Sequence, residues 1–326
     1  MKKKIIKLAI LVSLALAFAI PFVVFMVRAP VLIVSDQSFI MFYGTPRIRR
    51  QSIQSSLSFF RQFKTVAIAD DAGDDILQYA IAEVSQRPYC VLFPLRYARG
   101  ARIYREQNPQ IPVILLEGRF TETANRISAA INNNPDDYFI YKTDIESDFH
   151  IMGLTAAILD GEKNGRILVY LESHIQAKAR ESISRALNEA EKPLRTTYYT
   201  SYSQTQRISN LSSVILAGVG AEYFDRNAGI PIICQTWVDP ALLPVEVVLV
   251  FDDSPWNQAA EAVRMAAAGI KTGVIPSNCV ILPGKDIDNE TLQKIKNLCK
   301  IKKMKRRDLT NIEQTNIIKS KELLRS

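Results

Sequence analysis

The segment at residues 230–240, IPIICQTWVDP, passes directly from apolar side chains to side chains that can bind a ligand. Trp237 and Asp239 are the most informative of these. An indole ring offers a flat apolar surface, and a nearby carboxylate can accept hydrogen bonds from a sugar hydroxyl or from the edge of a base. The pair therefore predicts contact with a small polar molecule that has a flat face. The alternative is that Trp237 only packs against the end of a sheet.

Polar or aromatic residues also follow other apolar runs of the chain. Asp36 and Phe39 come after VLIVS, Glu172 after RILVYL, and Asp252 after VEVVLVF. In open parallel α/β sheets, ligands bind in the crevice outside the carboxyl ends of the strands. Each residue alone could be an ordinary helix N-cap. Their repetition at strand ends is what predicts a binding site.

The elements that would position these residues alternate between short apolar runs and longer amphipathic ones. Eleven runs are strand candidates: 31–35, 65–69, 89–93, 112–117, 138–142, 166–171, 195–200, 213–218, 230–234, 245–251 and 278–282. Helices are expected at 49–62, 73–85, 121–132, 146–162, 174–191, 220–227 and 255–268, the last with Ser254 as N-cap and Gly269 at its C-terminus. This alternation predicts an α/β fold with two parallel sheets of five to six strands. A (β/α)8 barrel is the rival, but several connections are too short for it.

Positive charge is concentrated at the two ends of the chain. Residues 1–28 carry +5 and residues 291–326 carry +8, which leaves −5 for residues 29–290. The basic isoelectric point therefore describes the ends, and we expect no nucleic-acid partner. Residues 291–326 form a basic C-terminal tail. It is predicted either as a basic amphipathic helix on an anionic surface or as a solvated tail.

The N-terminus contains Leu8–Val27, a run of 20 residues without a charge. A hydrocarbon core of about 30 Å needs about 20 helical residues, so the run predicts one transmembrane helix within residues 1–29. The lysines before it favour a cytoplasmic N-terminus. The protein is expected to be a single-pass inner-membrane protein with the bulk of the chain on the exported side. A cleaved signal peptide is the alternative.

Cysteine and histidine usage indicates neither a metal site nor a cofactor. Cys90, Cys234, Cys279 and Cys299 form no CxxC pair, and the first three lie in apolar runs, where cysteine acts as a small buried hydrophobe. Only two histidines are present, without the ligand spacing of a zinc site.

Residues 138–173, YFIYKTDIESDFHIMGLTAAILDGEKNGRILVYLES, show a distinctive order of elements. A strand leads through a polar segment into a helix with small residues, followed by a GEKNG turn and a further strand. This order resembles the point where the chain of a type I periplasmic binding protein leaves its first lobe. The resemblance covers about residues 31–283. It is closest to the nucleoside-binding basic membrane lipoproteins and less close to the ribose-type receptors.

The resemblance implies two Rossmann-like lobes within residues 30–290. Lobe 1 would contain about 30–143 plus 255–283, and lobe 2 about 144–254, with a small-molecule ligand in the cleft between the lobes. Carried over to this sequence, the ligand-binding positions include Asp148 and Phe149 in the polar segment. The chain differs from the family in lacking a lipobox cysteine, in its basic tail, and in the bulky loop SDQSFIMFYG after the first strand.

Three functions are compatible with these features. The leading expectation is a membrane-tethered, exported binding protein for a nucleoside- or sugar-like molecule, serving an ABC-type permease or a sensor, and not an enzyme. The second is a degenerate receptor fold used as an envelope scaffold or partner-binding module. The third is a sugar-nucleotide transferase. It is weakened because GVGAEY at 218–223 has a tyrosine where a dinucleotide loop needs a small residue.

Overall fold

Strand β1 (Val31–Asp36) lies next to the edge strand of a six-stranded parallel sheet, between the edge strand β2 (Phe63–Ile68) and β3 (Cys90–Pro94). The sheet continues through β4 (Val113–Glu117) and β5 (Phe139–Thr143) to β11 (Gly273–Ser277), in the order β11-β5-β4-β3-β1-β2. The computed structural model describes residues 19–117, 139–161, 166–171, 176–192, 196–199, 212–217, 230–252, 254–268, 273–277 and 279–298.

Both faces of the first sheet are covered, as the unbroken apolar runs predict. Along β1, Val31 and Ile33 point into one apolar cluster, and Leu32 and Val34 into the other. Successive side chains of a strand point to opposite faces, so one short apolar run contributes to two cores. All four side chains are fully buried.

Helices from distant parts of the chain cover the two faces. Side chains of α4 (Asp74–Val84) and α5 (Ala98–Gln107) enter one cluster. Side chains of α2 (Gln37–Tyr43), α3 (Thr45–Phe59) and α8 (Pro255–Ala267) enter the other. Residues 19–27 form the helix α1 that precedes them.

The second sheet has six strands in the order β12-β10-β9-β8-β6-β7. Its strands are β6 (Arg166–Tyr170), β7 (Thr196–Tyr199), β8 (Ser212–Ala217), β9 (Ile232–Gln235), β10 (Val247–Asp252) and β12 (Val280–Pro283). All neighbours pair in parallel except β10 with β12. The helices of this part are α6 (Ile145–Asp160), α7 (Gln176–Glu189) and α9 (289–298).

The chain divides into two compact units, one around each sheet. Unit 1 comprises residues 1–143, 237–239 and 253–279, and unit 2 comprises 144–236, 240–252 and 280–326. Strand β12 belongs to the second sheet, whereas the expected boundaries put residues up to 283 in the first lobe. Residues 237–239 belong to unit 1, whereas the expected boundaries put them in the second lobe. Strand β9, immediately before them, belongs to the second sheet.

The expectation of two sheets of five to six strands is confirmed, but strand β11 and helices α2 and α5 were not predicted. Strand β11 escaped prediction because it contains Gly273 and Pro276, and it lies at the edge of its sheet, where proline is tolerated. Helix α2 was not predicted because it is only seven residues long. Ser254 does cap α8, and the C-cap is Ala268, not Gly269. The helices expected at 121–132 and 220–227 lie outside the described residues.

Within the described part of the chain, no helix combines the length and apolar character needed to cross a membrane. Residues 8–18 of the predicted span lie outside that part. So do residues 299–326 of the basic tail and Cys299.

Cys90, Cys234 and Cys279 are buried free thiols, as expected for small hydrophobic residues in strands. Burial raises the pKa of Cys90 to about 12, and it also raises the pKa of Cys234. Both therefore remain protonated at neutral pH, and neither has the thiolate character of a reactive cysteine.

Candidate functional site

The first sheet reverses its winding direction between β1 and β3. In doubly wound sheets of this order, the loops after the two strands at the switch point diverge and leave a crevice for a ligand. Asp36 ends β1 and Arg96 lies just after β3, in a short 3-10 helix at Leu95–Tyr97. The two side chains form an ion pair. A carboxylate and a guanidinium therefore lie where this strand order predicts a ligand-binding crevice.

Asp36 serves two partners at once. Its side chain is 1% exposed, and its Oδ1 accepts a 2.8 Å hydrogen bond from the backbone N–H of Phe39, which caps α2. Its other oxygen faces Arg96, whose side chain is 33% exposed. Burial lowers the pKa of Arg96, but an arginine keeps its charge in proteins. The guanidinium thus has donors on the solvent side that could bind a hydroxyl or carboxylate.

A second polar cluster joins the ends of β1 and β2. Asp70 accepts two hydrogen bonds from Ser38, one from its backbone N–H at 2.8 Å and one from its hydroxyl at 2.5 Å. These bonds favour the carboxylate and lower the pKa of Asp70. The Tyr97 hydroxyl lies 3.4 Å from the Asp70 carbonyl oxygen, and burial raises the pKa of Tyr97.

Aromatic rings line the other side of α2. Phe39 stacks on Tyr43 with a centroid distance of 4.9 Å, and Trp237 lies 5.1 Å from Phe39 and 6.2 Å from Phe42. Phe39 and Tyr43 are buried, whereas Phe42 is 43% exposed. The Arg47 guanidinium lies 4.0 Å from the Tyr43 ring centroid. Phe39 is therefore a packing residue that supports Trp237 in this structure.

The segment 237–239 is attached to unit 1 by backbone hydrogen bonds. The Asp239 N–H donates to the Phe42 carbonyl oxygen at 2.9 Å, and Arg47 donates to the Trp237 carbonyl oxygen at 3.3 Å. Gly44 separates α2 from α3 with a φ of +92°, a conformation that favours glycine. A Cβ there would lie 3.0 Å from Asp239 Oδ2, so the turn also leaves room for the carboxylate.

The structure brings four of the eight expected site residues together in unit 1: Asp36, Phe39, Trp237 and Asp239. Asp148, Phe149 and Asp252 belong to unit 2, and all three are buried. Asp148 and Phe149 lie within α6, after its N-cap Asp144, and Asp252 ends β10. Glu172 lies outside the described residues.

Arg96 is the residue that the sequence did not reveal. It stands two residues past the end of β3, and only the pairing of β1 with β3 places it beside Asp36. Polar residues follow several strands in the sequence, and Arg96 is one of them. The order of the strands in the sheet was needed to predict that Arg96 lies beside Asp36. Ser38 and Asp70 each follow a strand, and their hydrogen bonds connect β1 to β2.

The arrangement in unit 1 combines the groups that small-molecule sites generally use. Trp237 and Phe42 supply partly exposed aromatic surface. Arg96 supplies hydrogen-bond donors, and Asp70 supplies hydrogen-bond acceptors. Such a set can hold a polar molecule by stacking and hydrogen bonding. Arg96 is held by its ion pair with Asp36, and Asp70 is held by its hydrogen bonds with Ser38, so these two groups need little reorganisation on binding.

No protein-family model matches this chain, and no curated protein is similar to it. Solved structures are similar at low identity. An ABC transporter solute-binding protein from Conexibacter woesei DSM 14684 has a TM-score of 0.54 and 12% identity, covering 83% of this chain and 95% of that one. A transcriptional activator of the comK gene from Bacillus halodurans has a TM-score of 0.53 and 10% identity, with the same coverage of 83% and 95%.

At these identities, the likeness concerns the fold. The two α/β units with their mostly parallel sheets, and the similarity of 83% of the chain to a solute-binding protein, agree with the resemblance seen in residues 138–173. The chain has the fold of the type I periplasmic binding proteins.

Proposed function

We propose that this chain is a membrane-tethered, exported binding protein for a small polar molecule of the nucleoside or sugar class. The carrying observation is the Asp36–Arg96 ion pair at the switch point of the first sheet, in the same unit as the aromatic rings of Phe42 and Trp237. Binding proteins recognise ligands with a few fixed polar groups beside aromatic surface. The proposed role is binding for transport or sensing, without catalysis, and the proposed partner is an ABC-type permease or a sensor.

The tether is proposed from the apolar run Leu8–Val27. The part of this run that the structure describes, helix α1 at residues 19–27, supports the tether. Five of its large apolar side chains are more than half exposed: Ile20, Phe22, Val23, Met26 and Val27. A series of large apolar side chains exposed in this way is costly in water and favourable in a bilayer. The proposed location is the inner membrane, with the two units on the exported side.

A thermal-shift panel tests ligand binding directly. The full chain in detergent is heated with nucleosides, pentoses, hexoses or amino acids. A ligand at about 100 times its dissociation constant should stabilise the folded state by about 2.7 kcal/mol. Arg96→Lys should weaken the response, because lysine cannot keep the planar contact with Asp36 and also present a second pair of donors.

Arg99→Lys is the matched control, since Arg99 is exposed and pairs with Asp74 on the surface. Its ligand response should equal that of the unmodified chain. The binding proposal fails if no member of the panel raises the melting temperature. Arg96 has no role in ligand binding if the ligand raises the melting temperatures of Arg96→Lys and Arg99→Lys equally.

One observation favours a second candidate, a receptor fold used as a scaffold. Phe39 and Tyr43 are buried, and Phe39 lies against Trp237, so part of the expected site is filled by the protein itself. Mass spectrometry of small molecules released by denaturing the purified chain separates the two candidates. A stoichiometric molecule supports binding. Its absence, together with a silent ligand panel, supports the scaffold.

A further inference from the structure

Helix α3 exposes large apolar side chains in a line along its surface. Ile53 is 51% exposed, Leu57 73% and Phe60, the residue that caps the helix, 37%. Residues four apart lie on the same side of a helix, so Ile53 and Leu57 are neighbours, and Phe60 follows at the C-terminus of the helix. Its opposite side buries Ile48 in the core of unit 1. We call Ile53, Leu57 and Phe60 the apolar strip.

The apolar strip adjoins the end of the predicted membrane span. The Phe25 ring of α1 lies 5.7 Å from the Phe60 ring, and the Arg28 guanidinium lies 5.3 Å from the same ring. The Gln62 amide donates to Met26 Sδ at 3.3 Å. Helix α1 therefore contacts the strip at the strip's C-terminal end, through the rings of Phe25 and Phe60, within unit 1.

The surroundings of the strip are basic. Residues 45–64 contain four arginines and one lysine and no acidic residue. Arg49 and Arg50 are exposed on α3 within one turn of Ile53. A helix with large apolar side chains beside arginines is typical of segments that lie in a membrane interface, where the cations attract anionic headgroups.

We propose that the apolar strip of α3 lies on the anionic lipid surface of the bilayer that holds Leu8–Val27, with Arg49 and Arg50 against lipid phosphates. This inference rests on the membrane tether of the proposed function. It adds a second membrane contact to the tether, one that restricts how unit 1 can rotate about the end of the span. The continuity of the strip with α1 and the absence of acidic residues from 45–64 are the observations that carry it.

Site-specific fluorescence tests the proposal on the full chain. Leu57→Cys is labelled with an environment-sensitive dye after reconstitution into nanodiscs, in a Cys299→Ser background because the other three cysteines are buried. Ile76→Cys is the matched control, an apolar residue of α4 in the same unit that is 59% exposed. Discs contain either neutral phospholipid alone or a mixture with anionic phospholipid, and nitroxide-bearing lipids serve as quenchers.

The expected result is a blue shift and quenching at position 57 in anionic discs, with neither at position 76. Arg49→Glu combined with Arg50→Glu should reduce both signals at position 57. An unshifted, unquenched label at position 57 in chains that stay in the discs overturns the inference while leaving the tether intact. Chains that do not enter discs at all refute the tether itself. A shift that depends on protein concentration and not on lipid charge assigns the strip to a second copy of the chain and overturns the proposal.

Discussion

Asp36 combines two structural roles at one buried carboxylate. It caps α2 through the Phe39 N–H and neutralises Arg96 at the switch point of the first sheet. Loss of an N-cap costs about 1 kcal/mol, and an uncompensated charge in a buried pair costs roughly 3–5 kcal/mol. Because Arg96 is one-third exposed, solvent relieves part of the second cost.

We therefore expect Asp36→Ala to lower the free energy of unfolding by about 2–4 kcal/mol. Urea denaturation of the full chain in detergent measures this loss. Asp75→Ala is the control, because Asp75 is an exposed residue in the first turn of α4, and it should change stability by about 0.5 kcal/mol or less. Equal losses for the two variants would contradict the role assigned to Asp36.

Ser38 is expected to set the titration of Asp70. Its two hydrogen bonds lower the folded-state pKa of Asp70 below the ordinary value of 3.8. Their contribution to stability is therefore complete above the ordinary value and is lost as the pH falls through the lowered pKa. Ser38→Ala should raise the Asp70 pKa, as measured by NMR titration of its carboxyl carbon.

Ser58→Ala is a suitable control for the Ser38 variant. The Ser58 hydroxyl donates to the Gln54 carbonyl oxygen at 2.9 Å within α3, so its loss should not move the Asp70 titration. An Asp70 pKa that is unchanged in Ser38→Ala would show that the hydrogen bond from the Ser38 hydroxyl does not form in solution.

At the scale of elements, helices α6 and α7 are in close contact because of a small residue on each. A Cβ added at Gly153 would lie 2.8 Å from the Ala186 Cβ and 3.3 Å from the Ile183 backbone. Real Cβ atoms do not approach so closely, so one helix would have to move. The buried His150 of α6 also lies 3.0 Å from Glu189 of α7 and restricts that movement.

Gly153→Ala should therefore destabilise the protein by about 1–3 kcal/mol, the usual cost of overpacking, despite the higher helix propensity of alanine. Adding Ala186→Gly should recover part of the loss, although this second change alone costs about 1 kcal/mol in a helix. A double-mutant cycle measured by urea unfolding gives the coupling between the two positions. Additive losses would show that the helices are not in tight contact there.

For the whole molecule, the distribution of charge and apolar length is more informative than the isoelectric point. Residues 1–28 carry a net charge of +5, because four lysines precede an uncharged run of 20 residues and Arg28 follows it. Residues 29–290 are acidic overall. This pattern favours the proposed membrane tether, in which the N-terminal lysines would lie on the cytoplasmic side. Residues 291–298 of the basic tail lie in helix α9, which belongs to unit 2.

The full chain should accordingly stay with membranes during alkaline carbonate extraction and require detergent for release. Leu14→Lys combined with Ala17→Lys should release it, because each lysine at the centre of a span costs roughly 2.5–3.5 kcal/mol. Leu242→Lys, at an exposed leucine of unit 2, is the control and should stay in the membrane fraction. Release of the unmodified chain by carbonate would contradict the tether.

The sequence by itself determined the layers of this protein. Unbroken apolar runs alternating with amphipathic ones predicted two helix-covered parallel sheets, and Ser254 before Pro255 predicted the start of α8 correctly. These features depend on the periodicity and capping of nearby residues, which a single sequence displays. Polar residues at strand ends also predicted a site that contains Asp36 and Trp237, and the structure assigns both residues to unit 1.

Only the tertiary structure decided which strand ends meet. The pairing of β1 with β3 places Arg96 beside Asp36, and contacts across 190 residues of chain attach Trp237 to Arg47. It also revealed that Phe39 is packed in the core and that Ile53, Leu57 and Phe60 are exposed beside α1. Strand order and burial depend on contacts between residues far apart in the chain, and no local pattern encodes them.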